Sequence, residues 1–193
     1  MRIERHIQVP TGDILVVHGE HGSLECLSLG DYGKAQNVKA DFLGLRDDIE
    51  GVPHGALVPL TEKWVVTIST QYGCSMGCRF CDVPKVGPGK NATVDDMIGQ
   101  VVAGLRLHPE VTRTDRLNIH FARMGEPTWN PAVLEAAEWF RYCLPRLGYR
   151  VHPVVSTMMP RANKDLPWFL RTWMQIKNET YGGEAGLQLS INS

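Results

Sequence analysis

The sequence predicts an α/β fold in which parallel strands alternate with helices, preceded by a small antiparallel β unit. Two observations carry this reading. From about Leu60 onward, apolar β-branched runs fit for buried strands alternate with helix-period segments at intervals of roughly 35 residues. Upstream of that point, three short runs alternate at strand period and are separated by glycine-containing turns.

The first unit, residues 1–59, opens with RIERHIQV, ILVVHG and SLECLSLG, joined by a Pro-Thr-Gly-Asp turn and a Glu-His-Gly turn. These read as an antiparallel meander. From Asp31 to Pro59 the pattern dissolves into glycines, two prolines and an acidic patch (Asp41, Asp47, Asp48, Glu50), which marks a connector. The second unit, residues 60–193, starts with Trp64 to Thr70 (WVVTIST), a run suited to a buried strand that feeds directly into a cysteine-rich loop. Thr93 caps a helix, with Asp96 three residues later as a weaker form of the capping box. Val94, Met97, Ile98, Val101, Val102 and Leu105 share one face of that helix, and Pro109 ends it.

Arg116 to Ala122 (RLNIHFA) reads as the next strand. A Met-Gly-Glu-Pro loop follows, then a helix from Asn130 as N-cap, through Pro131 at its first position, to about Leu144. Tyr149 to Thr157 forms a third strand, followed by a Met-Met-Pro loop and a helix around Asp165 to Lys177. Ala185 to Asn192 is a fourth strand. Successive parallel strands require crossovers, and these are right-handed by rule. The loops at the C-terminal strand ends then share one rim: the cysteine loop, the Met-Gly-Glu-Pro loop, Ser156-Thr157 and Ser190 to Asn192.

Composition limits the function classes. The chain has 193 residues, 43% of them hydrophobic, enough for one full-sized core. No run of about 18 apolar residues exists and the N-terminus lacks a signal pattern, so the expected location is cytoplasmic. Charge nearly cancels at −1, which announces no nucleic-acid partner by itself. Between Arg141 and Lys177, however, seven basic residues stand against Asp165 alone, a run that suits either phosphates or solvated helix faces.

Five cysteines, three of them clustered as Cys74, Cys78 and Cys81, do not resemble the paired framework of a secreted domain. Thiolates are soft ligands suited to iron–sulfur clusters, zinc or copper(I), and Gly73 and Gly77 allow a tight wrap around a metal centre. Structural zinc would need a fourth ligand, and His120 and His152 do not stand at zinc-motif spacing. A redox dithiol of Cys78 and Cys81 is a further alternative. A cluster with three protein thiolates and one open iron accounts best for the count. Cys26 and Cys143 read as structural thiols.

A CxxxCxxC loop after the first strand of a βα series, with the aromatic Phe80 before the third cysteine, resembles the signature of radical S-adenosylmethionine (SAM) enzymes. The segments QYGCSMGCRFCDVPKVGPGKNATVDDMIGQV, ARMGEPTWN, VVSTMMP and LQLSINS resemble more closely the RlmN/Cfr-like ribosomal RNA adenine methyltransferase branch of that superfamily, over about Val58 to Ser193. The resemblance implies a partial (β/α)6 barrel of about four βα units, a 4Fe-4S cluster on Cys74, Cys78 and Cys81, and SAM as cosubstrate. SAM would be cleaved reductively to a 5'-deoxyadenosyl radical. Gly125 and Glu126 would bind its amino group, and Ser156, Ser190, Ile191 and Asn192 its carboxylate and ribose. A flavodoxin- or ferredoxin-like electron donor and an RNA partner are implied as well.

Two departures qualify it. Arg123 replaces a glycine of the branch's Gly-Met-Gly-Glu-Pro segment. Thr67 stands seven positions before Cys74, where the branch carries the cysteine that resolves its covalent adduct, and a threonine hydroxyl forms no disulfide. No catalytic residue is assigned from sequence, and the substrate stays open. The chain ends at the fourth recognisable strand, so the expectations include completion of the barrel by a further segment or a second chain. The alternative to a radical SAM enzyme is a non-catalytic fragment that binds a cluster or a partner.

Overall fold

The computed structural model describes residues 1–31 and 57–191; the acidic connector patch and Asn192 lie outside the described residues. Strands β1 (Arg2–Val9), β2 (Gly12–Gly19) and β3 (Gly22–Leu29) form the expected meander. β3 then pairs antiparallel with β4 (Trp64–Ile68), setting Leu27 opposite Thr67. The meander and the parallel strands therefore belong to one seven-stranded sheet. Its parallel part comprises β4, β7 (Thr114–Phe121), β8 (Tyr149–Thr157) and β9 (Gly186–Leu189), adjacent in that order. Three helices cross between them: α1 (Val94–Leu105), α2 (Ala132–Cys143) and α3 (Leu166–Gln175).

Alternation in the strands decides which sheet face the helices cover. Trp64, Val66 and Ile68 of β4 and Leu117, Ile119 and Phe121 of β7 are fully buried. They share a core with Met97 and Val101 of α1, Phe140 of α2, and Phe169 and Trp173 of α3. Phe121 sits at its centre, with ring contacts to Phe140 and Trp173. The opposite face carries the alternate residues. In register across it run Leu27, Thr67, His120 and Val154, with Asn118 beside His152 one row below.

The elements agree with their sequence signals except near loops. α1 has a complete capping box, because the Asp96 carboxylate accepts from the Thr93 N–H while the Thr93 hydroxyl accepts from the Asp96 N–H. α2 begins at Ala132 rather than Pro131, and the Asn130 side chain caps the Ala132 N–H at 3.1 Å. α3 stops at Gln175 and continues as a wider π turn over Ile176–Thr180. β4 stops at Ile68 rather than Thr70, since Ser69 and Thr70 give their N–H groups to Gln100 and Met124 instead of to a strand. β9 is shorter than the expected 185–192, and Leu187 and Leu189 stand 41% and 51% exposed on it.

Three residues of the basic run have partners within the chain. Arg141 donates to the Thr180 carbonyl, Arg150 pairs with Glu184, and Lys177 donates to the Gly183 and Ala185 carbonyls. Cys26 is fully buried, and burial pushes its thiol up to about 12. Cys143 is only partly buried, at the end of α2. No helix among the described residues is long and apolar enough to cross a membrane.

Candidate active site

The site begins where β4 ends. Gln100 of α1 brackets Ser69, accepting from its N–H at 2.8 Å and donating to its carbonyl at 3.0 Å. The Ser69 hydroxyl donates to the Glu25 carbonyl and accepts from the Met124 N–H at 3.1 Å. Thr70 and Gln71 both donate their N–H groups to the Met124 carbonyl, at 2.7 and 3.2 Å. The end of β4 and the loop after β7 are thus bonded main chain to main chain.

From this base rises a short ribbon absent from the sequence expectations, β5 (Gln71–Gly73) paired with β6 (Pro88–Asn91). It carries the cysteine loop between its strands. The Cys74 N–H closes the loop onto the Gly87 carbonyl at 3.1 Å. Gly73, at φ +78°, is required here, for a Cβ would come within 2.2 Å of the Gly87 oxygen. The ribbon is held from below by Tyr72, whose hydroxyl donates to the buried Asp96 carboxylate of α1 at 2.7 Å.

All three loop cysteines are free thiols, partly buried and partly open to solvent. The Met76 N–H donates to the Cys74 sulfur at 3.4 Å, and the Cys78 thiol lies 3.1 Å from the Met158 sulfur. Burial raises the Cys74 thiol above its ordinary value. The nearby Cys78 and Cys81 raise it further, while the N–H groups of Met76 and Gly125 work against the shift. Among the described residues, no three of His, Cys, Asp and Glu are gathered tightly enough to hold one metal ion. His120 and His152 lie on the open sheet face, and burial, then the neighbouring Arg116, lowers His152 to about 4.

The Gly125-Glu126 turn stands beside the loop. Gly125 takes φ +96°, and a Cβ there would meet Gln71 at 2.6 Å. Glu126 is 3% exposed. Its Oε1 accepts from the Thr128 hydroxyl at 2.8 Å, the Thr128 N–H at 3.2 Å and the Thr157 hydroxyl at 2.5 Å. Its Oε2 accepts from the Met158 N–H at 3.0 Å. No Lys, Arg or His pairs with this carboxylate among the described residues, so its buried charge is met by neutral donors alone. Lone pairs remain on Oε2 for a cationic partner.

Of the other candidate residues, Ser156 lies on the open face with its hydroxyl 3.3 Å from Gln188 Oε1, one residue from the Thr157 that touches Glu126. Ser190 gives its N–H to the Thr157 carbonyl at 2.9 Å, and the Ile191 side chain is 89% exposed. Arg123 pairs with Glu25 of β3 across the end of β4. Several site residues were missed by sequence reasoning. Gln71, Thr128 and Asn130 are buried polar side chains that join the loop, the ribbon and the turn. A polar Gln placed between a buried strand and a cysteine loop was the available signal for the first. Thr157 and Met158 bind Glu126 through contacts that only the tertiary arrangement creates.

The donor types are those an iron–sulfur cluster takes, three free soft thiols on one loop, although the thiols are not drawn together into a metal site, and they stand near a buried carboxylate that pairs with no cation among the described residues.

No protein-family model matches the chain. It is 38% identical over 90 residues to a dual-specificity RNA methyltransferase RlmN of Solidesulfovibrio magneticus, taking in 46% of this chain and 25% of the relative. It is 40% identical over 93 residues to the protein of that name in Aliarcobacter butzleri, taking in 48% and 25%. The matches span about a quarter of the length of these relatives. Among solved structures, a radical SAM methyltransferase from Sphaerobacter thermophilus superposes with a TM-score of 0.52 at 21% identity, covering 97% of this chain and 57% of that one. The chain is therefore similar in sequence to RlmN methyltransferases over about half its length, and it shares the fold of a radical SAM methyltransferase.

Proposed function

We propose that this chain carries the cluster and cosubstrate site of a cytoplasmic radical SAM enzyme of the RNA methyltransferase kind. Cys74, Cys78 and Cys81 would hold a 4Fe-4S cluster, and Gly125 and Glu126 would receive the amino group of SAM. The observation that carries the reading is the buried Glu126, which pairs with no cation among the described residues, beside a loop of three free thiols. An ammonium group is the partner such a carboxylate suits. When bound, the cluster supplies the single electron for reductive cleavage of SAM, drawn from a flavodoxin- or ferredoxin-like donor.

The chain's own residues bind and orient. Thr128, Thr157 and the Met158 N–H fix the carboxylate before any ligand arrives, so little ordering is left for the binding step. Ser156, Ser190, Ile191 and Asn192 would take the carboxylate and ribose. RNA is the substrate class that the relatives' names support. Thr67 faces the open side of the sheet between Leu27 and His120, and its hydroxyl supplies neither a thiolate base nor a disulfide. Resolution of an adduct in this chain would therefore call on a group other than the Thr67 hydroxyl.

The test is anaerobic reconstitution with iron and sulfide. Bound iron, SAM binding and dithionite-dependent formation of 5'-deoxyadenosine are expected, all lost in the Cys74/Cys78/Cys81→Ala triple variant. The same product from that variant would sink the reading. The exposed edge of β9 favours a second one, a cluster-bearing chain whose sheet another segment or chain completes. Binding of iron and SAM with no 5'-deoxyadenosine would support it.

A further inference from the structure

Gln71 is 1% exposed at the junction of four segments. Its Oε1 accepts from the Ser75 N–H at 3.2 Å, the Ser75 hydroxyl at 3.1 Å and the Glu126 N–H at 3.2 Å. Its Nε2 donates to Asn91 Oδ1 at 2.8 Å, and Asn91 Nδ2 in turn donates to the Trp129 carbonyl at 3.0 Å. Trp129 closes the circuit by giving its own N–H to the Glu126 carbonyl at 3.1 Å. The ring joins Gln71, Glu126, Trp129 and Asn91 of β6, and Ser75, beside the first cysteine, is attached to it through the Gln71 oxygen.

The orientation of the amide is determined by chemistry. All donors reaching the Gln71 head come from one side, where only an oxygen can accept, and Asn91 presents an oxygen on the other, where only an NH2 can donate. A flipped amide would set donor against donor at Ser75 and Glu126. The backbone enforces the same junction, since Gly125 packs on Gln71 too closely for any Cβ. The ring leaves the thiols and the carboxylate themselves free of direct bonds to Gln71.

We infer that Gln71 is a positioning residue that locks the cysteine loop to the Gly125-Glu126 turn, so that thiols and carboxylate are presented as one rigid body. The inference rests on the proposed reading for what that body holds, and on geometry alone for the lock. It follows that SAM affinity depends on the Gln71 oxygen although Gln71 bonds neither the thiols nor the Glu126 carboxylate.

The test uses the whole chain with Gln71→Met, which keeps length and apolar volume but no acceptor, and Gln71→Glu, whose carboxyl, held neutral by burial, keeps an accepting oxygen toward Ser75 and Glu126 and an O–H donor toward Asn91. In protein without metal, amide hydrogen exchange at Ser75 and Glu126 is expected to quicken at least tenfold in Gln71→Met. Amides of β4 and α1 should be unchanged, and Gln71→Glu should stay within about threefold of wild type at both positions. After anaerobic reconstitution, Gln71→Met is expected to keep its iron per chain while its Kd for SAM rises about tenfold, with Gln71→Glu recovering most of the loss. Wild-type exchange at Ser75 and Glu126 in Gln71→Met, or an unaltered Kd, overturns the lock. Should Gln71→Met fail to fold, fast exchange at both sites in Gln71→Glu overturns it equally. Wild-type protein that binds neither iron nor SAM would overturn the functional reading, whereas the exchange measurement on bare protein judges the lock independently.

Discussion

The cysteine loop and the Gly125-Glu126 turn lie side by side at the strand ends, yet they are built in opposite ways. The turn is set by the protein alone: Glu126 is almost fully buried, and Thr128, Thr157 and Met158 surround its carboxylate with donors. The loop is tied at its base and open above, with Phe80 74% and Val86 69% exposed and all three thiols partly in solvent. A buried charge must be satisfied in the folded chain, because leaving it bare costs several kcal/mol. Exposed thiols carry no such requirement, and metal binding supplies ordering energy to a loop that lacks its own core.

The sharpest way to break this contrast is to delete each side in turn. Glu126→Ala strands the Thr128 and Thr157 hydroxyls and the Met158 N–H, and relief of the buried charge offsets part of the loss. The expected net cost is about 2 kcal/mol. That corresponds to roughly 4–8 °C in Tm for a chain of this size. The Cys74/Cys78/Cys81→Ala variant should melt within about 2 °C of wild type when neither carries metal, since the thiols contribute little packing. Calorimetry on the two variants decides it, and the reverse order would show that the loop has a structural core of its own.

Next in size is the support beneath the loop. Tyr72 of β5 rests on Asp96, and Asp96 belongs to the capping box of α1. Thr93→Ala removes the hydroxyl that accepts the Asp96 N–H and should cost about 1 kcal/mol. Its Tm is expected to fall by roughly 2–4 °C. Exchange at Tyr72 and Gly73 should quicken together with the first turn of α1, and at Glu126, whose N–H bonds the neighbouring Gln71, to a smaller extent. Wild-type exchange at Glu126 would mean the turn is held without help from the ribbon.

Elements with strong local signals were legible in the sequence. The alternating runs of β2 and β3, the Thr93 cap and the apolar face of α1 all appear where period and capping chemistry put them. Strand-end convergence was also legible, because parallel strands oblige loops such as 74–87 and 123–126 to share a rim. What was not legible depends on partners distant in sequence. The ribbon β5–β6 is three or four residues a side and rests on Gln71 meeting Asn91 and Tyr72 meeting Asp96. The pairing of β3 with β4 joins two units that composition separates at the connector. Thr157 rather than Ser156 reaches Glu126 because strand parity turns one hydroxyl toward the turn and the other toward Gln188.

The last effect, that of His152, is smallest at neutral pH and grows as the pH falls. Burial, then the neighbouring Arg116, depresses His152 on the open sheet face to about 4. A depressed histidine leaves the unfolded chain binding more protons, so its contribution is complete above the ordinary value of 6.5 and is lost as pH falls toward about 4. At the foot of the loop, burial raises Asp96, but hydrogen bonds from Tyr72, Thr93 and Glu20 outweigh it and leave the carboxyl below 3.8. Its contribution is complete above 3.8 and is lost only as pH falls through the lower folded value. Melting curves against pH should therefore show two windows. His152→Gln is expected to flatten the loss of Tm between pH 6.5 and 4 relative to wild type. Asp96→Asn should melt lower than wild type at neutral pH, with the gap narrowing only below 3.8. A gap that closed already near pH 6 would show that Asp96 is protonated in the folded chain, and that Tyr72 donates to a neutral carboxyl rather than to the anion on which the loop's support depends.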